Sequence, residues 1–184
     1  MLKTASRPLT VHDYRELPEG PPYSQLIEGD LIMSPSPDLF HQDILLNLAR
    51  IIGNYLEKNP VGKVAIAPSD VHLTDLNVYQ PDLYFVSNSR KSILSAQGAE
   101  GAPDLVVEIL SPKTARFDKG VKREVYARTG VKELCIIDPT LREIQLYHLT
   151  ESADVPAATL GEEKEIESAL LPGLRISLKE IFRQ

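Results

Sequence analysis

Residues 105–110 (LVVEIL) constrain the fold of this 184-residue chain more than any other segment. All but one of them are apolar, which is typical of a central strand covered on both faces of a sheet. The exception is Glu108, whose carboxylate costs several kcal/mol to bury without a partner. The segment therefore predicts a layered core in which Glu108 meets a cation, a metal ion or a cluster of hydrogen-bond donors.

The flanking segments predict a mixed sheet with a few helices. The apolar spacing from Ile44 to Leu56 predicts the strongest helix, with Ser36 as its cap and Pro37 at its first position. A second helix is predicted from Thr114 to Thr129. Apolar runs predict strands at residues 23–27, 31–33, 63–67, 70–73, 83–86, 134–137 and 143–148. This order indicates an α/β or mixed α+β fold, a sheet flanked by helices, in a single domain of residues 1–184.

Two polar stretches are predicted as loops. Residues 87–101 contain two glycines and are expected to form at most one helical turn. Residues 151–167 are acidic and are expected to be rich in turns.

Composition excludes several classes of protein. The single cysteine, Cys135, rules out an internal disulfide framework, and its apolar neighbours predict a buried thiol. No apolar stretch reaches the ~20 residues of a membrane helix, and the first ten residues lack the apolar core of a signal peptide, so a cytoplasmic protein is expected. The net charge of −6 argues at first sight against a nucleic-acid partner.

The candidate catalytic residues are Asp82, Glu108 and Lys122. Asp82 precedes one strand and Glu108 interrupts another, and two carboxylates on neighbouring strands would suit Mg²⁺ or Mn²⁺. Lys122 lies on the following helix, where it shares a face with Asp118 and Tyr126. A simple salt bridge between Glu108 and Lys122 or an arginine would explain the same pattern, and the spacing leaves both interpretations open.

The sequence around these residues resembles a known family. The segments that carry the resemblance are 26–30 (LIEGD), 79–86 (YQPDLYFV) and 103–112 (PDLVVEILSP). They are similar to the Uma family of restriction endonucleases, a branch of the PD-(D/E)XK nuclease superfamily, and the likeness runs from about Tyr23 to Pro139.

The resemblance implies a restriction-endonuclease-like core and metal-dependent cleavage of a phosphodiester. Asp82 matches the acid of the superfamily's first motif and Glu108 the acid of its second, so both would hold Mg²⁺ or Mn²⁺. The superfamily lysine is expected two residues after the second acid, where this chain has Leu110. In this branch the resemblance implies that Lys122 on the following helix takes that role, with Lys113 as a nearer alternative.

Four further residues carry expectations. Family members usually have Glu where this chain has Gln25, which leaves open whether metal affinity is weakened. His41 falls on a histidine of the family signature and is a second-tier candidate. Tyr126 is expected to pack beside Lys122, and Asp104 to be a turn residue before a strand.

The segment from Lys113 to Lys132 is basic, with seven basic and two acidic residues and a balance of +5. This predicts contacts with a phosphate backbone, unless the segment is a solvated helix face with a Glu124–Arg128 pair. The expected function is a metal-dependent endonuclease acting on DNA, and a homodimer would supply two sites for two strands. The alternative is a catalytically weakened nuclease-fold module with a binding or regulatory role, which Gln25 and the acidic net charge favour.

Overall fold

The computed structural model describes residues 7–18, 20–34 and 36–184. Its helices are α1 Val11–Arg15, α2 Leu39–Lys58, α3 Ala115–Phe117, α4 Arg123–Thr129 and α5 Leu178–Ile181, with a 3₁₀ helix at Asn88–Ile93 and a π-helical segment at Asp118–Lys122. Its strands are β1 Ser24–Ile27, β2 Asp30–Met33, β3 Gly62–Ile66, β4 Asp70–Thr74, β5 Asn77–Tyr79, β6 Leu83–Ser87, β7 Gly98–Ala99, β8 Leu105–Ile109, β9 Glu133–Asp138, β10 Glu143–His148, β11 Ala158–Gly161, β12 Glu165–Glu167 and β13 Arg175–Ser177.

The larger sheet has the order β11-β10-β9-β8-β6-β3. Strand β8 pairs parallel with β9 and antiparallel with β6, so the sheet is mixed, as predicted. Every residue of β8 is buried, which confirms that the LVVEIL segment is an interior strand. Apolar clusters cover both faces, with Val107 and α2 on one side and Val106 and α4 on the other.

A second sheet, of order β2-β1-β5-β4-β7, packs through Ile27, Val71 and Tyr79 into the cluster that contains α4. The sequence pattern missed β5, the strand that carries Tyr79. Its three residues are all buried, so they show no polar–apolar alternation. This strand matters for the site, because it brings Tyr79 to the helical segment after β8.

The first long helix forms, whereas the second, predicted over Thr114 to Thr129, is divided into α3, the π-helical segment and α4 by a kink at Gly120. Helix α2 begins at Leu39, and its cap is Asp38, whose side chain accepts a hydrogen bond from the His41 amide at 2.8 Å. The predicted cap at Ser36 is therefore wrong, because the Asp38 carboxylate satisfies an amide of the first turn. The second predicted helix ends at Gly130 in the left-handed conformation, as expected, but its middle is the π-helical segment.

The two predicted loops contain short elements. Residues 87–101 include the 3₁₀ helix Asn88–Ile93 and strand β7, which is more structure than one turn. Residues 151–167 include β11, which extends the larger sheet, and β12, which pairs with β13. The strands among these elements form through backbone pairing with neighbouring strands, for which the local sequence carries little signal.

Cys135 lies buried in β9, as predicted, and burial raises the pKa of its thiol to about 12. Among the helices in the described part of the chain, none is both long and apolar enough to cross a bilayer.

Asp104 is a buried structural carboxylate rather than a simple turn residue. Its side chain is 0% exposed, accepts the Ser87 amide at 2.8 Å, and lies 2.7 Å from Lys132 and 3.4 Å from Arg90. Burial alone would raise the pKa of Asp104, but the bonds from Lys132 and Ser87 outweigh it, so the pKa is lowered. Asp104 therefore ties the end of β6 to the turn before β9.

We expect Asp104→Asn to lower the free energy of unfolding by about 1–3 kcal/mol, because the Ser87 amide and two cations lose a charged acceptor. Since the folded-state pKa is depressed, this stability is present above the unfolded pKa of about 4 and is lost as the pH falls through the folded value. Urea unfolding at pH 7 and at pH 3 checks both statements. Equal stability of the two proteins at pH 7 would contradict them.

Candidate active site

The register of the larger sheet places Asp82 beside Glu108. Strands β6 and β8 pair through Leu83 and Val107, and Asp82 and Glu108 occupy the next position outward. The Asp82 Oδ2 accepts a hydrogen bond of 2.7 Å from the amide of Ile109. The Asp82 side chain is 18% exposed, whereas Glu108 is 3% exposed. The two predicted carboxylates therefore lie together at one end of the paired strands.

The helical segment after β8 brings Lys122 to Glu108. The Lys122 Nζ lies 2.6 Å from Glu108 Oε1 and 2.9 Å from Asp118 Oδ1, and all three side chains are buried. Asp118 and Lys122 lie on either side of a kink at Gly120, whose φ of −112° and ψ of −111° are not helical. Lys113, the nearer alternative in sequence, is exposed and forms none of the ion pairs among the described residues.

The buried cluster places two carboxyl groups, Glu108 and Asp118, against a single ammonium, which cannot compensate both when they are ionised. One ammonium faces the carboxylates of Glu108 and Asp118, and Asp82 lies close enough to act on Glu108 as well. Burial raises the pKa of Glu108 to about 8, with Lys122 opposing the rise and the two aspartates adding to it. Burial would lower the pKa of Lys122, but the charges of Glu108 and Asp118 reverse this, so Lys122 remains an ammonium ion.

Tyr126 also contacts Glu108. Its hydroxyl donates a hydrogen bond of 2.6 Å to Glu108 Oε1, and its side chain is fully buried. The sequence predicted that Tyr126 packs near Lys122, and the structure adds the direct bond to the carboxylate. A substrate cannot reach this tyrosine without rearrangement of the core.

His41 belongs to the same site, although the sequence ranked it second. It lies in the first turn of α2, and its Nε2 is 3.3 Å from Asp82 Oδ1. Burial lowers the pKa of His41, but hydrogen bonding and the charge of Asp82 outweigh it, so the net pKa is raised. The Nδ1 of His41 is buried and has no hydrogen-bond partner within the described residues.

Gln25 supports the segment before Asp82. Its Oε1 accepts the amide of Gln80 at 3.0 Å, and its Nε2 donates to Ser34 Oγ at 3.3 Å. The two bonds thus engage both the carbonyl oxygen and the amino group of the side-chain amide. In this chain Gln25 acts on the backbone near Asp82, and its bonds go to neither site carboxylate.

Comparison with known proteins identifies the family. Residues 11–179 match the Uma2 family, described as "Putative restriction endonuclease". The chain belongs to the Uma2 family. The resemblance seen in the sequence is therefore confirmed, and it extends beyond the segment from Tyr23 to Pro139.

Individual proteins agree with this assignment. An uncharacterized protein of Synechocystis is 30% identical over 147 residues, which is 78% of this chain and 74% of that protein. A second uncharacterized Synechocystis protein is 24% identical over 177 residues, 93% of this chain and 98% of its own length. A crystal structure of a "putative nuclease belonging to DUF820" from Anabaena variabilis has a TM-score of 0.79 at 21% identity, covering 95% of this chain and 98% of that one. This likeness confirms the fold.

Asp82 and Glu108 offer oxygen donors of the kind that a hard divalent cation takes. Within residues 7–18, 20–34 and 36–184, no three side chains of His, Cys, Asp or Glu form a complete ligand cage. Mg²⁺ does not need such a cage, since it keeps several waters and binds through one or two carboxylates plus substrate phosphate. A bound cation would also stabilise the ionised form of Glu108, which shares Lys122 with Asp118. The residues therefore fit a Mg²⁺ or Mn²⁺ ion.

Most of the basic segment is neutralised by acidic partners. The ion pairs join Lys119 to Asp138, Lys122 to Glu108 and Asp118, Arg123 to Asp154, Arg128 to Glu28, and Lys132 to Asp104. The predicted Glu124–Arg128 pair is wrong, because Arg128 reaches Glu28 of the second sheet. Lys113 and Arg116 are the exposed cations of the segment that pair with none of the described acids.

We expect Lys122→Met to destabilise the protein by about 3–5 kcal/mol, because it leaves two buried carboxylates without a cation. Urea unfolding of the metal-free protein measures this. Adding Asp118→Asn to Lys122→Met should recover part of the loss, since one of the uncompensated charges is then removed.

The matched control is Glu108→Gln. It preserves the shape of the side chain and removes the surplus charge, while Lys122 keeps Asp118 as a partner. Its unfolding midpoint should equal or exceed that of the wild type. A large loss in Glu108→Gln together with none in Lys122→Met would refute this account of the cluster.

Proposed function

We propose that this chain is a divalent-metal-dependent endonuclease that hydrolyses phosphodiester bonds in DNA. The observation that carries the proposal is the convergence of Asp82, Glu108 and Lys122 at the end of β6 and β8, where the acidic groups outnumber the one ammonium. Membership of a restriction endonuclease family supports the same reaction class.

Asp82 and Glu108 would hold Mg²⁺ or Mn²⁺. When bound, such an ion polarises the phosphate and lowers the pKa of the attacking water. The Ile109 amide fixes one oxygen of Asp82, and His41 lies against the other, so the carboxylate is oriented before substrate arrives. This pre-organisation lowers the entropic cost of assembling the reacting groups.

Lys122 acts in this proposal as a fixed positive charge. Its ammonium lies between two carboxylates within 2.9 Å, which hold it protonated and leave it unsuited to accept a proton from water. It would orient Glu108 and stabilise negative charge that develops on the phosphate. General-base action by this lysine is disfavoured by the same contacts.

DNA contact would be limited to the backbone near the site. Lys113 and Arg116 follow β8 by only a few residues, and the Arg116 guanidinium stacks on the Phe117 ring at 4.5 Å, which limits its motion. These two cations are suited to phosphates that flank the bond to be cut. A homodimer of this domain, residues 1–184, would supply one such site for each strand.

One observation favours the alternative of a non-catalytic binding module. Glu108 and Lys122 are almost fully buried, so a cation must reach a carboxylate that is 3% exposed. If no ion enters, the cluster is a structural ion pair, and the fold would bind DNA or a protein partner without cutting. The experiment that follows separates the two functions.

We expect the purified protein to nick or cleave plasmid DNA in Mg²⁺ or Mn²⁺ and to be inactive in EDTA. Asp82→Asn and Glu108→Gln should each reduce the rate by about 100-fold or more, because each removes one charged ligand while preserving side-chain shape. Glu124→Gln, an exposed substitution on α4, is the matched control and should cleave at the wild-type rate. If the wild type cleaves no form of DNA with either ion, the catalytic proposal is refuted.

We expect Lys113→Glu and Arg116→Glu to weaken DNA binding without changing the unfolding midpoint. Fluorescence anisotropy of a labelled duplex, measured in the Glu108→Gln background so that no cleavage occurs, reports the affinity. Each lost phosphate contact should reduce the slope of log affinity against log salt by about 0.9. Lys58→Glu is the control, since Lys58 lies at the other end of α2 from His41, about 25 Å away along the helix. Equal loss in Lys58→Glu would show a nonspecific charge effect.

A further inference from the structure

The two oxygens of Glu108 have different surroundings. Both Tyr126 and Lys122 approach Oε1, each at 2.6 Å. Oε2 accepts no hydrogen bond from any residue that the structure describes. One oxygen is therefore bound on two sides by the protein, and the other remains available.

The Tyr126 hydroxyl is held firmly in its position. The ring is fully buried in α4 and packs edge-on against the Tyr79 ring, with centroids 5.4 Å apart and an interplanar angle of 88°. Tyr79 is fixed in turn, since its hydroxyl donates to Asn77 Oδ1 at 2.7 Å. A buried phenol must donate its proton to a partner, and Glu108 is the acceptor here.

The chemistry of the donor matters for cation binding. Lys122 already supplies the positive charge that makes burial of Glu108 tolerable. A second cation at Oε1 would cancel the negative charge that a divalent ion requires. A neutral hydroxyl orients the Glu108 carboxylate and leaves its negative charge in place. A tyrosine therefore suits this position better than a lysine or an arginine would.

We propose that Tyr126 is a positioning residue for metal binding: its hydroxyl holds Oε1 of Glu108 so that Oε2 is presented to the divalent cation. This inference rests on the proposed function, and it adds a role that lies outside the Asp82, Glu108 and Lys122 set. Tyr126 itself contacts neither the ion nor the DNA.

The test is Tyr126→Phe, which removes one oxygen and keeps the ring. Mn²⁺ binding, measured by calorimetry on the DNA-free protein, should weaken about 10-fold or more, the scale seen when a partner of a metal ligand is lost. Saturating Mn²⁺ should restore most of the cleavage rate, because the variant still has every ligand. Affinity for DNA in EDTA should remain at the wild-type value.

Tyr84→Phe is the matched control. Tyr84 is also a fully buried tyrosine with one hydroxyl bond, 2.7 Å to Ser69 Oγ, but it does not touch Glu108. Both variants should lose similar thermal stability, and only Tyr126→Phe should lose Mn²⁺ affinity. A purely structural role would instead leave Tyr126→Phe with the same Mn²⁺ affinity as Tyr84→Phe, and added Mn²⁺ would not restore the rate.

The outcomes distinguish this inference from the function on which it rests. If the wild type binds and uses Mn²⁺ and Tyr126→Phe matches Tyr84→Phe in Mn²⁺ affinity, the positioning role is overturned and the endonuclease proposal stands. If the wild type neither binds Mn²⁺ nor cleaves DNA, both are overturned. A selective loss of Mn²⁺ affinity in Tyr126→Phe, recovered at high Mn²⁺, supports the role.

Discussion

The burial of Glu108 in an interior strand is the constraint on which the rest of this structure depends. A carboxylate between Val107 and Ile109 needs compensation, and the helical segment that covers this face of the sheet supplies the Lys122 ammonium and the Tyr126 hydroxyl. Asp118, Lys122 and Tyr126 are spaced four residues apart, so one side of that segment faces Glu108. The contacts that pack this segment on the sheet are therefore also the contacts that form the site.

Two buried acidic residues, Asp104 and Glu108, show how the surroundings of a carboxylate determine its electrostatic state. Asp104 is fully buried, accepts a backbone amide and faces two cations, and its pKa is lowered. Glu108 shares one cation with Asp118 and has a second acid, Asp82, nearby, so its pKa is raised. The first arrangement is electrostatically satisfied and stabilises the fold. The second retains a demand for positive charge, which is the property a cation site requires.

The acidic character of the chain is compatible with a local contact to DNA. Most cations of the basic segment are neutralised by acids from distant parts of the chain, such as Glu28 and Asp154. A surface of this kind cannot coat DNA tightly through charge alone. Lys113 and Arg116 remain exposed and pair with none of the described acids, and under the proposed function they would add to the contact that a divalent ion makes with one phosphate. In this arrangement the electrostatic attraction would act on one phosphate of the DNA backbone.

The sequence by itself determined the interior strand, the two long helical segments, the family and the choice of Asp82, Glu108 and Lys122 as candidate site residues. These follow from local patterns: an apolar run, helical spacing and family motifs surrounding three charged residues. Only the tertiary structure decided that Lys122 rather than Lys113 lies beside Glu108, that His41 faces Asp82, that Tyr126 bonds Glu108, and that Asp104 is buried. Each of those contacts joins residues that are distant in the chain or lie on different elements, and it depends on sheet register, on the short strand β5 and on the π-helical segment. No local pattern encodes these features, because they form only when separate segments pack against one another.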